Sequence, residues 1–313
     1  MEGTNPGHGP VVGLVGCGRW GRHILRDLRA LGCHVHVVAR SPESAARARE
    51  GRATSLVDSF EALPAVEGVV VATPTSTHAD VVERLLPRGV PVFVEKPLTA
   101  DAESARRLAA LAPARLFVMD KWRYHPGVRE LARIAAAREL GDVVGVHSRR
   151  VTLGHRYTDV DTLWIHLPHD LAIVLDVLGA LPEPCVVVGE TVAGELQGAT
   201  VVLGEAPWAV LESSTLAPGH RRELRLVCEG GVAQLDGGYA DCVRVLRAGG
   251  ATEEDVERRP IAGELPLLAE LRAFVEHLRG GPPPLSSAEV GVEIVEAIER
   301  IHELAATPVG VRH

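Results

Sequence analysis

Short apolar runs alternate with longer stretches of helical spacing between residue 11 and about residue 120. Strands buried on both faces of a parallel sheet read as continuous apolar runs, and their alternation with helices is the pattern of βαβ units. The predicted strands cover residues 11–15, 35–39, 68–72, 90–94 and 116–119, and the predicted helices cover residues 21–31, 78–86 and 101–112. Asp101 is expected to cap the third helix, and Glu103 adds negative charge to its first turn. This part of the chain predicts a parallel α/β domain.

The pattern changes after residue 120. A helix over residues 126–140, with Pro126 suited to its first turn, a strand over 143–151 and a helix over 168–178, ending before Gly179, are predicted first. Strand candidates follow at residues 185–191, 199–203, 208–215, 222–228, 231–235 and 242–246, and helices at 265–278 and 288–304 close the chain. Because little room for helices is left between those strands, we expect an antiparallel meander. The predicted domains are residues 1–120, which are parallel α/β, and residues 121–313, which are α+β.

Composition narrows the class of protein. The chain has 313 residues, of which 46% are hydrophobic and 24% charged, and its formal net charge is −8. These values are typical of a globular protein, and the acidic total disfavours a general nucleic-acid binder. No apolar run approaches the ~20 residues of a membrane span and residues 1–10 lack the regions of a signal peptide, so we expect a cytoplasmic protein without membrane contact. Five widely spread cysteines without a CxxC pair disfavour a disulfide framework or a zinc ribbon.

A GxGxxG motif follows the first predicted strand and opens the first predicted helix: Gly16-Cys17-Gly18-Arg19-Trp20-Gly21. Gly16 permits a tight turn, Gly18 lets the backbone approach a pyrophosphate, and Gly21 allows close packing of helix and strand. The N-terminus of the helix adds free N–H donors for the anion. We therefore predict a dinucleotide site that includes Arg19 and Trp20, and the alternative is a glycine-rich turn without a ligand.

The end of the second predicted strand bears on the choice of cofactor. NAD-binding folds place an Asp or Glu there on the ribose hydroxyls, whereas this chain has Arg40 and Ser41. The guanidinium of Arg40 can pair with a 2′-phosphate, and Ser41 can add a hydroxyl donor. We expect NADP(H) to be preferred, with NAD(H) also possible; the alternative is that Arg40 is an ordinary surface arginine.

Four further motifs resemble those of one enzyme family. They are Val71-Ala72-Thr73-Pro74-Thr75-Ser76-Thr77-His78, Val92-Phe93-Val94-Glu95-Lys96-Pro97, Arg123-Tyr124-His125-Pro126 and Pro168-His169-Asp170. Together with the glycine loop, they make the chain similar, nearly end to end, to the Gfo/Idh/MocA family of glucose-fructose oxidoreductase and inositol dehydrogenase relatives. The resemblance implies an N-terminal Rossmann dinucleotide-binding domain and a C-terminal α+β domain with a largely antiparallel open sheet. It also implies a homodimer or homotetramer formed through that sheet.

The Glu-Lys-Pro triplet is the most specific of these motifs. The resemblance implies that Lys96 points at the junction of nicotinamide and substrate, and that the cofactor is lined by Thr73, Pro74, Glu95 and Pro97. An ammonium at the carboxyl end of a parallel strand lies where open α/β sheets bind ligands, and it can oppose negative charge on a substrate oxygen. The alternative is a surface Glu95/Lys96 pair. His78 is grouped with the cofactor residues, although capping or packing would also explain it.

The resemblance assigns the acid/base to the predicted helix at residues 168–178. Many family members have an Asp four residues before a His at this helix start; His169 matches that His, but Ile165 occupies the Asp position. Histidine has a reference pKa of about 6.5, which suits proton transfer at neutral pH, so His169 is the first candidate. Tyr124, which precedes the first helix of the second domain, can assist or replace it.

Two more residues near this helix are candidates. His166, one turn before His169, and Asp161 can orient the acid/base or bind substrate hydroxyls, and a packed or solvated side chain is the alternative for each. Asp170 is expected to favour the helix N-terminus by its charge. A metal site is suggested by three histidines, His155, His166 and His169. No carboxylate or thiolate motif completes a ligand set, so we expect no catalytic metal.

The predicted function is that of an NADP(H)-dependent oxidoreductase. Hydride moves between C4 of the nicotinamide and a carbonyl or hydroxyl carbon, Lys96 polarises the oxygen, and His169, with or without Tyr124, transfers the proton. The family implies a polyhydroxylated substrate, namely a keto sugar, a nucleotide sugar or a cyclitol, and Ile165 favours keto-sugar reduction because it makes the pocket less polar. An imine reductase on the same scaffold and a cofactor-binding regulator without catalysis are the alternatives.

Overall fold

The computed structural model describes residues 9–154 and 157–306. The chain divides into two units, unit 1 with Met1–Lys121 and Leu265–Val295, and unit 2 with Trp122–Glu264 and Glu296–His313. The predicted division at residue 120 differs from this grouping, because it leaves residues 265–295 with the C-terminal part. The α-helices are α1 (Gly21–Ala30), α2 (Pro42–Glu50), α3 (His78–Leu85), α4 (Ala102–Leu111), α5 (Pro126–Ala136), α6 (Thr162–Leu178), α7 (Pro266–Leu278) and α8 (Ala288–Ala306).

Unit 1 is built on a sheet of six parallel strands. They are β1 (Val11–Val15), β2 (His34–Val38), β3 (Ser55–Val57), β4 (Gly68–Val71), β5 (Val92–Glu95) and β6 (Leu116–Met119). Their order is β3-β2-β1-β4-β5-β6, which is that of a Rossmann dinucleotide-binding fold. Because parallel strands share a direction, the loops that follow β1, β2 and β5 emerge at one edge of the sheet. Both α2 and β3 were absent from the sequence prediction, since their apolar residues are few.

The return of α7 to unit 1 has a packing cause. Phe274 stacks on Phe93 of β5 with 4.9 Å between ring centroids, and both rings are fully buried. Leu271 and Val275 belong to the same apolar cluster as strand residues of β1 and β2. The apolar face of α7 therefore completes the core of the first sheet.

Unit 2 contains an eight-stranded sheet. Its strands are β7 (Val143–Leu153), β8 (Pro184–Val192), β9 (Glu195–Leu203), β10 (Trp208–Ser214), β11 (Leu216–Cys228), β12 (Gly231–Leu235), β13 (Cys242–Arg247) and β14 (Glu257–Pro260). Their order is β14-β13-β12-β11-β7-β10-β9-β8, and all neighbours are antiparallel except β7 and β10. The predicted antiparallel meander of residues 185–246 is wrong at one point, because β7 lies between β10 and β11 and pairs with β10 in parallel. The predicted fold class, Rossmann α/β followed by a largely antiparallel α+β part, is confirmed.

The helix that carries the predicted acid/base starts earlier than expected. α6 begins at Thr162 because the carboxylate of Asp161 accepts hydrogen bonds from the N–H groups of Leu163 (2.9 Å) and Trp164 (3.3 Å). Pro168 therefore lies inside the helix and not at its start. α6 ends before Gly179 as predicted, whereas α5 stops at Ala136, short of the predicted residue 140. None of the described helices is long and apolar enough to cross a membrane.

Candidate active site

The glycine loop follows β1 and leads directly into α1. Gly16 has a φ of +92°, and a Cβ on it would lie 2.7 Å from Ala72 O. A Cβ on Gly21 would collide with Gly16 O, whereas a Cβ on Gly18 would meet nothing within 4 Å. Trp20, which precedes α1, provides no side-chain cap for the first helical N–H groups. The tight turn, the open approach at Gly18 and these N–H donors fit the pyrophosphate of a dinucleotide.

Arg40 and Ser41 lie just beyond β2 at the same edge of the sheet, and both are exposed, as is Arg19. The guanidinium carbon of Arg40 lies 5.0 Å from the ring centroid of Phe60, a cation–π contact. Ser41 Oγ caps α2 by accepting from Ser44 N at 3.1 Å, and its O–H donates to the carboxylate of Glu43. An exposed guanidinium beside a hydroxyl at this position fits a 2′-phosphate.

The Glu-Lys-Pro motif contacts the glycine loop directly. Lys96 follows Glu95, the last residue of β5. The indole N–H of Trp20 donates a hydrogen bond to Glu95 Oε1, and Lys121 Nζ lies 4.1 Å from the ring centroid of Trp20. The structure thus brings the predicted cofactor residues of the glycine loop and the residue next to Lys96 together at one sheet edge.

His78 joins two backbone segments of this edge. The ring nitrogens lie 2.8 Å (Nδ1) from Pro97 O and 3.0 Å (Nε2) from Thr73 O, and the side chain is buried. Thr77 Oγ1 also donates to Thr73 Oγ1 at 2.9 Å. The geometry therefore explains His78 as a residue that positions the Thr73-Pro74 and Pro97 segments.

A buried acidic cluster lies beside Glu95. Glu270 of α7 is 1% exposed, and its Oε2 has no hydrogen-bond partner in the described part of the chain. Burial raises the pKa of Glu270 well above its ordinary value; the charges of Glu95 and Asp120 raise it further, and Lys121 opposes them. Burial also raises the pKa of Glu95, against the pull of Lys96 and Lys121. Sequence reasoning missed Glu270, because nothing in its local pattern links α7 to β5.

In unit 2, α6 presents the two candidate histidines. His169 packs edge-on against Trp122, with 6.5 Å between ring centroids. His166 is buried; its Nδ1 lies 3.0 Å from Ser213 Oγ and its Nε2 lies 3.1 Å from the phenol oxygen of Tyr157. His166 thus lies inside the helix and in a hydrogen-bonded chain, where a position before the helix was expected. Tyr157 was not predicted, although it belongs to the loop before α6.

Asp170 has a different role from the one expected. It lies in the middle of α6, where Arg150 donates from Nε to Oδ2 at 2.9 Å and from Nη2 to Oδ1 at 3.0 Å. Ser148 Oγ adds a hydrogen bond to Oδ1 at 2.8 Å, and the Arg150 guanidinium carbon lies 4.9 Å from the Trp122 ring centroid. The pair fixes α6 on β7 beside His169, so the helix-terminus interpretation of Asp170 is wrong.

The remaining two candidates of unit 2 are Asp161 and Tyr124. Asp161 caps α6 with Oδ1, and its Oδ2 lies 2.8 Å from His302 Nε2, so both oxygens are engaged within unit 2. These contacts agree with the structural alternative for Asp161, a side chain that caps α6 and contacts α8. Tyr124 is half-buried and ends a short 3-10 turn, Lys121–Tyr124.

A metal site was considered at the histidines of unit 2. Across residues 9–154 and 157–306, no group of three or more His, Cys, Asp or Glu side chains is arranged to hold an ion. His155, the third histidine of that hypothesis, lies outside the described residues.

Comparison with known proteins places the chain among oxidoreductases. Residues 11–117 match the family model GFO_IDH_MocA, described as an oxidoreductase family with an NAD-binding Rossmann fold. A UDP-N-acetylglucosamine 3-dehydrogenase from Acidithiobacillus ferrooxidans is 26% identical over 300 residues, which cover 91% of this chain and 94% of that protein. An inositol 2-dehydrogenase from Saccharopolyspora erythraea is 28% identical over 281 residues, covering 79% of this chain and 80% of the relative.

Solved structures share the fold over nearly the whole chain. The structure of the Acidithiobacillus ferrooxidans dehydrogenase aligns with a TM-score of 0.82 at 25% identity and covers 94% of this chain and 97% of its own. A 3-ketoreductase from Actinomadura kijaniata, solved with TDP-benzene and NADP, also has a TM-score of 0.82, at 19% identity and with coverage of 94% and 97%.

Proposed function

We propose that the chain is a member of the Gfo/Idh/MocA family of oxidoreductases, whose model it matches over residues 11–117, and that it is an NADP(H)-dependent enzyme acting on a sugar-like substrate. The hydride moves between the nicotinamide and a carbonyl or hydroxyl carbon. Lys96 and His169 are assigned to the substrate oxygen at that carbon.

One observation carries the proposal. Trp20 of the glycine loop donates to Glu95, the neighbour of Lys96, so the predicted cofactor loop and the predicted catalytic lysine share one edge of the sheet. In open α/β sheets that edge is where ligands bind. The sequence of either motif alone would not make this link, whereas a direct contact between the two motifs does.

Each side chain has a defined task. In the direction of reduction, the Lys96 ammonium donates to the carbonyl oxygen and opposes the negative charge that develops there. His169 delivers a proton to the same oxygen, which completes the hydroxyl. Tyr124 stays a second candidate donor, and the Tyr157–His166 pair supplies a further phenol and imidazole near His169 on α6. When bound, the nicotinamide cofactor supplies or accepts the hydride at C4.

The choice of NADP(H) rests on Arg40 and Ser41. Both are exposed at the carboxyl edge after β2, where a carboxylate would repel a 2′-phosphate and a guanidinium attracts it. We propose NADP(H) as the preferred cofactor, with weaker use of NAD(H).

The substrate class follows from the relatives and from Ile165. A relative aligned over 91% of this chain is a UDP-N-acetylglucosamine 3-dehydrogenase, and others are inositol 2-dehydrogenases. Ile165, half-buried on α6, adds an apolar surface one turn from His169. A keto sugar suits this surface better than a free polyol.

Cofactor turnover tests the proposal. NADPH oxidation is followed at its absorbance band with a panel of keto sugars, nucleotide-linked keto sugars and cyclic imines, and NADP+ reduction with the corresponding alcohols. We expect turnover with a sugar-like substrate and a loss of at least about 100-fold in kcat for Lys96→Ala, the scale of one lost charge-stabilising donor. Tight NADPH binding without turnover across the whole panel would favour the regulator instead, and turnover of imines alone would favour the imine reductase.

We also propose that the protein is a homodimer or homotetramer formed through the sheet of unit 2. Register places Val186, Val188, Val202 and Val210 side by side on one face of β8, β9 and β10. Val186 is 46% exposed and Val188 is 55% exposed, which leaves a continuous apolar area on this face. A monomer mass in light scattering would contradict this assembly; a dimer or tetramer that dissociates on Val188→Glu would support it.

A further inference from the structure

Arg222 lies on the face of the second sheet that α6 covers. In the antiparallel register of β7 and β11, Arg222 pairs with Arg150 and Leu224 pairs with Ser148. Paired residues share a face, and Arg150 and Ser148 both reach Asp170 of α6. The inward face of β11 therefore passes from buried Leu224 to exposed Arg222 beside the helix that carries His169.

The charge of Arg222 is attracted by Asp170, but that carboxylate already pairs with Arg150. Arg150, its cross-strand neighbour, is matched by Asp170, whereas no carboxylate in the described part of the chain forms an ion pair with Arg222. Desolvation and the repulsion of Arg150 lower the pKa of Arg222, although a guanidinium stays charged at neutral pH. Two arginines directly opposite each other in a sheet are unfavourable, and an anion bound at Arg222 would relieve that repulsion.

An exposed aromatic ring accompanies this cation. Tyr239 is 88% exposed in the turn between β12 and β13, and it lies within electrostatic range of Arg222, as does Tyr157. The turn is held close: a Cβ on Gly238 would lie 2.9 Å from Trp122 Cη2 and 3.7 Å from Arg222 Cδ. Since Trp122 also packs against His169, the cation and the exposed phenol border the surroundings of the proposed acid/base.

We propose that Arg222 and Tyr239 form a subsite for the nucleoside diphosphate of a nucleotide-linked sugar. Arg222 binds the diphosphate, Tyr239 stacks on the nucleobase, and the sugar extends past Trp122 towards His169. The inference rests on the proposed function and narrows its substrate class. A sugar phosphate or a sugar carboxylate shares the anion but not the planar base, so it would use Arg222 without Tyr239.

Binding of UDP to the NADP+-saturated protein tests the subsite. Saturation with NADP+ keeps UDP out of the dinucleotide site, and calorimetry measures binding without turnover. We expect wild-type protein to bind UDP, Arg222→Gln to weaken it by about tenfold or more, and Tyr239→Ala to weaken UDP but not pyrophosphate. Arg221→Gln is the matched control: Arg221 is the neighbouring residue on β11, is directed to the opposite face by strand alternation, and pairs with Glu223, so UDP binding is unchanged.

Several results would overturn the inference. The subsite is ruled out if wild type and Arg222→Gln bind UDP with equal affinity. It is also ruled out if UDP binds only when NADP+ is omitted. Loss of UDP binding in Arg222→Gln with no effect of Tyr239→Ala reduces it to a simple anion site and contradicts the nucleoside assignment. Unchanged NADP+ affinity and circular dichroism confirm that each variant is folded. If UDP binding depends on Arg222 but no hydride transfer is found, the subsite is supported and the proposed function is contradicted. If free sugars are turned over at a rate that does not depend on Arg222, the proposed function is supported and the subsite is contradicted.

Discussion

Arg150 and Asp170 form a buried ion pair that fastens α6 to β7 beside His169. Their side chains are 5% and 2% exposed, and two N–H groups of the guanidinium reach both carboxylate oxygens. A buried pair of this kind adds little to the free energy of unfolding compared with a well-packed apolar substitute. Removal of one partner, however, leaves the other charge buried without a counter-charge. The pair therefore controls both the stability of unit 2 and the placement of His169.

Breaking this pair should be costly. We expect Asp170→Asn or Arg150→Met to lower the free energy of unfolding by ~3–5 kcal/mol, measured by urea denaturation, because each leaves an uncompensated or poorly matched charge. The exposed pair of Arg300 and Glu303 is the control, and Arg300→Met should cost less than about 1 kcal/mol. Equal effects at the two sites would contradict the account of Asp170.

Replacement of Arg40 should shift the cofactor preference from NADPH towards NADH. Arg40→Asp removes the guanidinium and adds a charge that repels a 2′-phosphate, so we expect the ratio of kcat/KM for NADPH over NADH to fall by about 10–100-fold. Arg49→Asp, at an exposed position near the end of α2, should leave that ratio unchanged. Similar ratios for wild type and Arg40→Asp would show that Arg40 is an ordinary surface arginine.

The contact between His302 and Asp161 predicts a pH-dependent contribution to stability. Burial alone would lower the pKa of His302, but the hydrogen bond and charge of Asp161, together with Ile298 O, raise it. A histidine with a raised pKa in the folded state stabilises fully below its ordinary pKa of about 6.5 and loses that contribution as pH rises through the folded value.

The measurement compares unfolding of wild type and His302→Gln across pH. The stability difference should be largest near pH 6 and should shrink as the pH rises through the raised value. Asp161→Asn should also weaken this pH dependence, because the carboxylate is its cause. If the stability difference between wild type and His302→Gln grows with pH, the protonated form of His302 is not the stabilising one.

Glu270 should destabilise the folded chain as pH rises. Because the pKa of this buried carboxyl is raised, the folded state holds a proton that the unfolded state releases above a pKa of about 4.3. Stability therefore falls from that pH upward until the folded value is reached.

Glu270→Gln tests this sign. The neutral amide does not titrate, so the variant should match wild type near pH 4 and be more stable at pH 8, by about 1.4 kcal/mol for every pKa unit of the rise. Glu276→Gln, exposed on the same helix, should change stability by less than about 0.5 kcal/mol. A variant less stable than wild type at pH 8 would show that Glu270 is needed as a carboxylate.

Local patterns predicted the elements that depend on local chemistry. The strand before Gly16, the Asp101 cap, whose carboxylate accepts from Ser104 N at 2.7 Å, and the end of α6 before Gly179 follow from propensity and capping. Gly16 and Gly21 could be assigned from spacing because only glycine fits the contacts the loop makes with neighbouring backbone.

Tertiary contacts decided the rest. Pro168 reads as a helix start, but the Asp161 cap and burial of the first turn of α6 carry the helix through it. The parallel pairing of β7 with β10, the return of α7 to the first sheet and the Arg150–Asp170 pair each join segments distant in sequence, so no local pattern encodes them. Tyr157 and Glu270 were missed for the same reason.

Transfer of deuterium tests the central claim most directly. The protein is incubated with NADPH deuterated at C4 and a nucleotide-linked keto sugar, and the sugar product is analysed by mass spectrometry and proton NMR, with each C4 epimer of the cofactor tested. We predict one deuterium on the carbon that becomes the alcohol carbon, from one epimer only, and its loss with Lys96→Ala. Cofactor oxidation that leaves no deuterium on any carbon of the keto sugars, or unchanged transfer in Lys96→Ala, would contradict the assigned reaction or the assigned lysine, respectively.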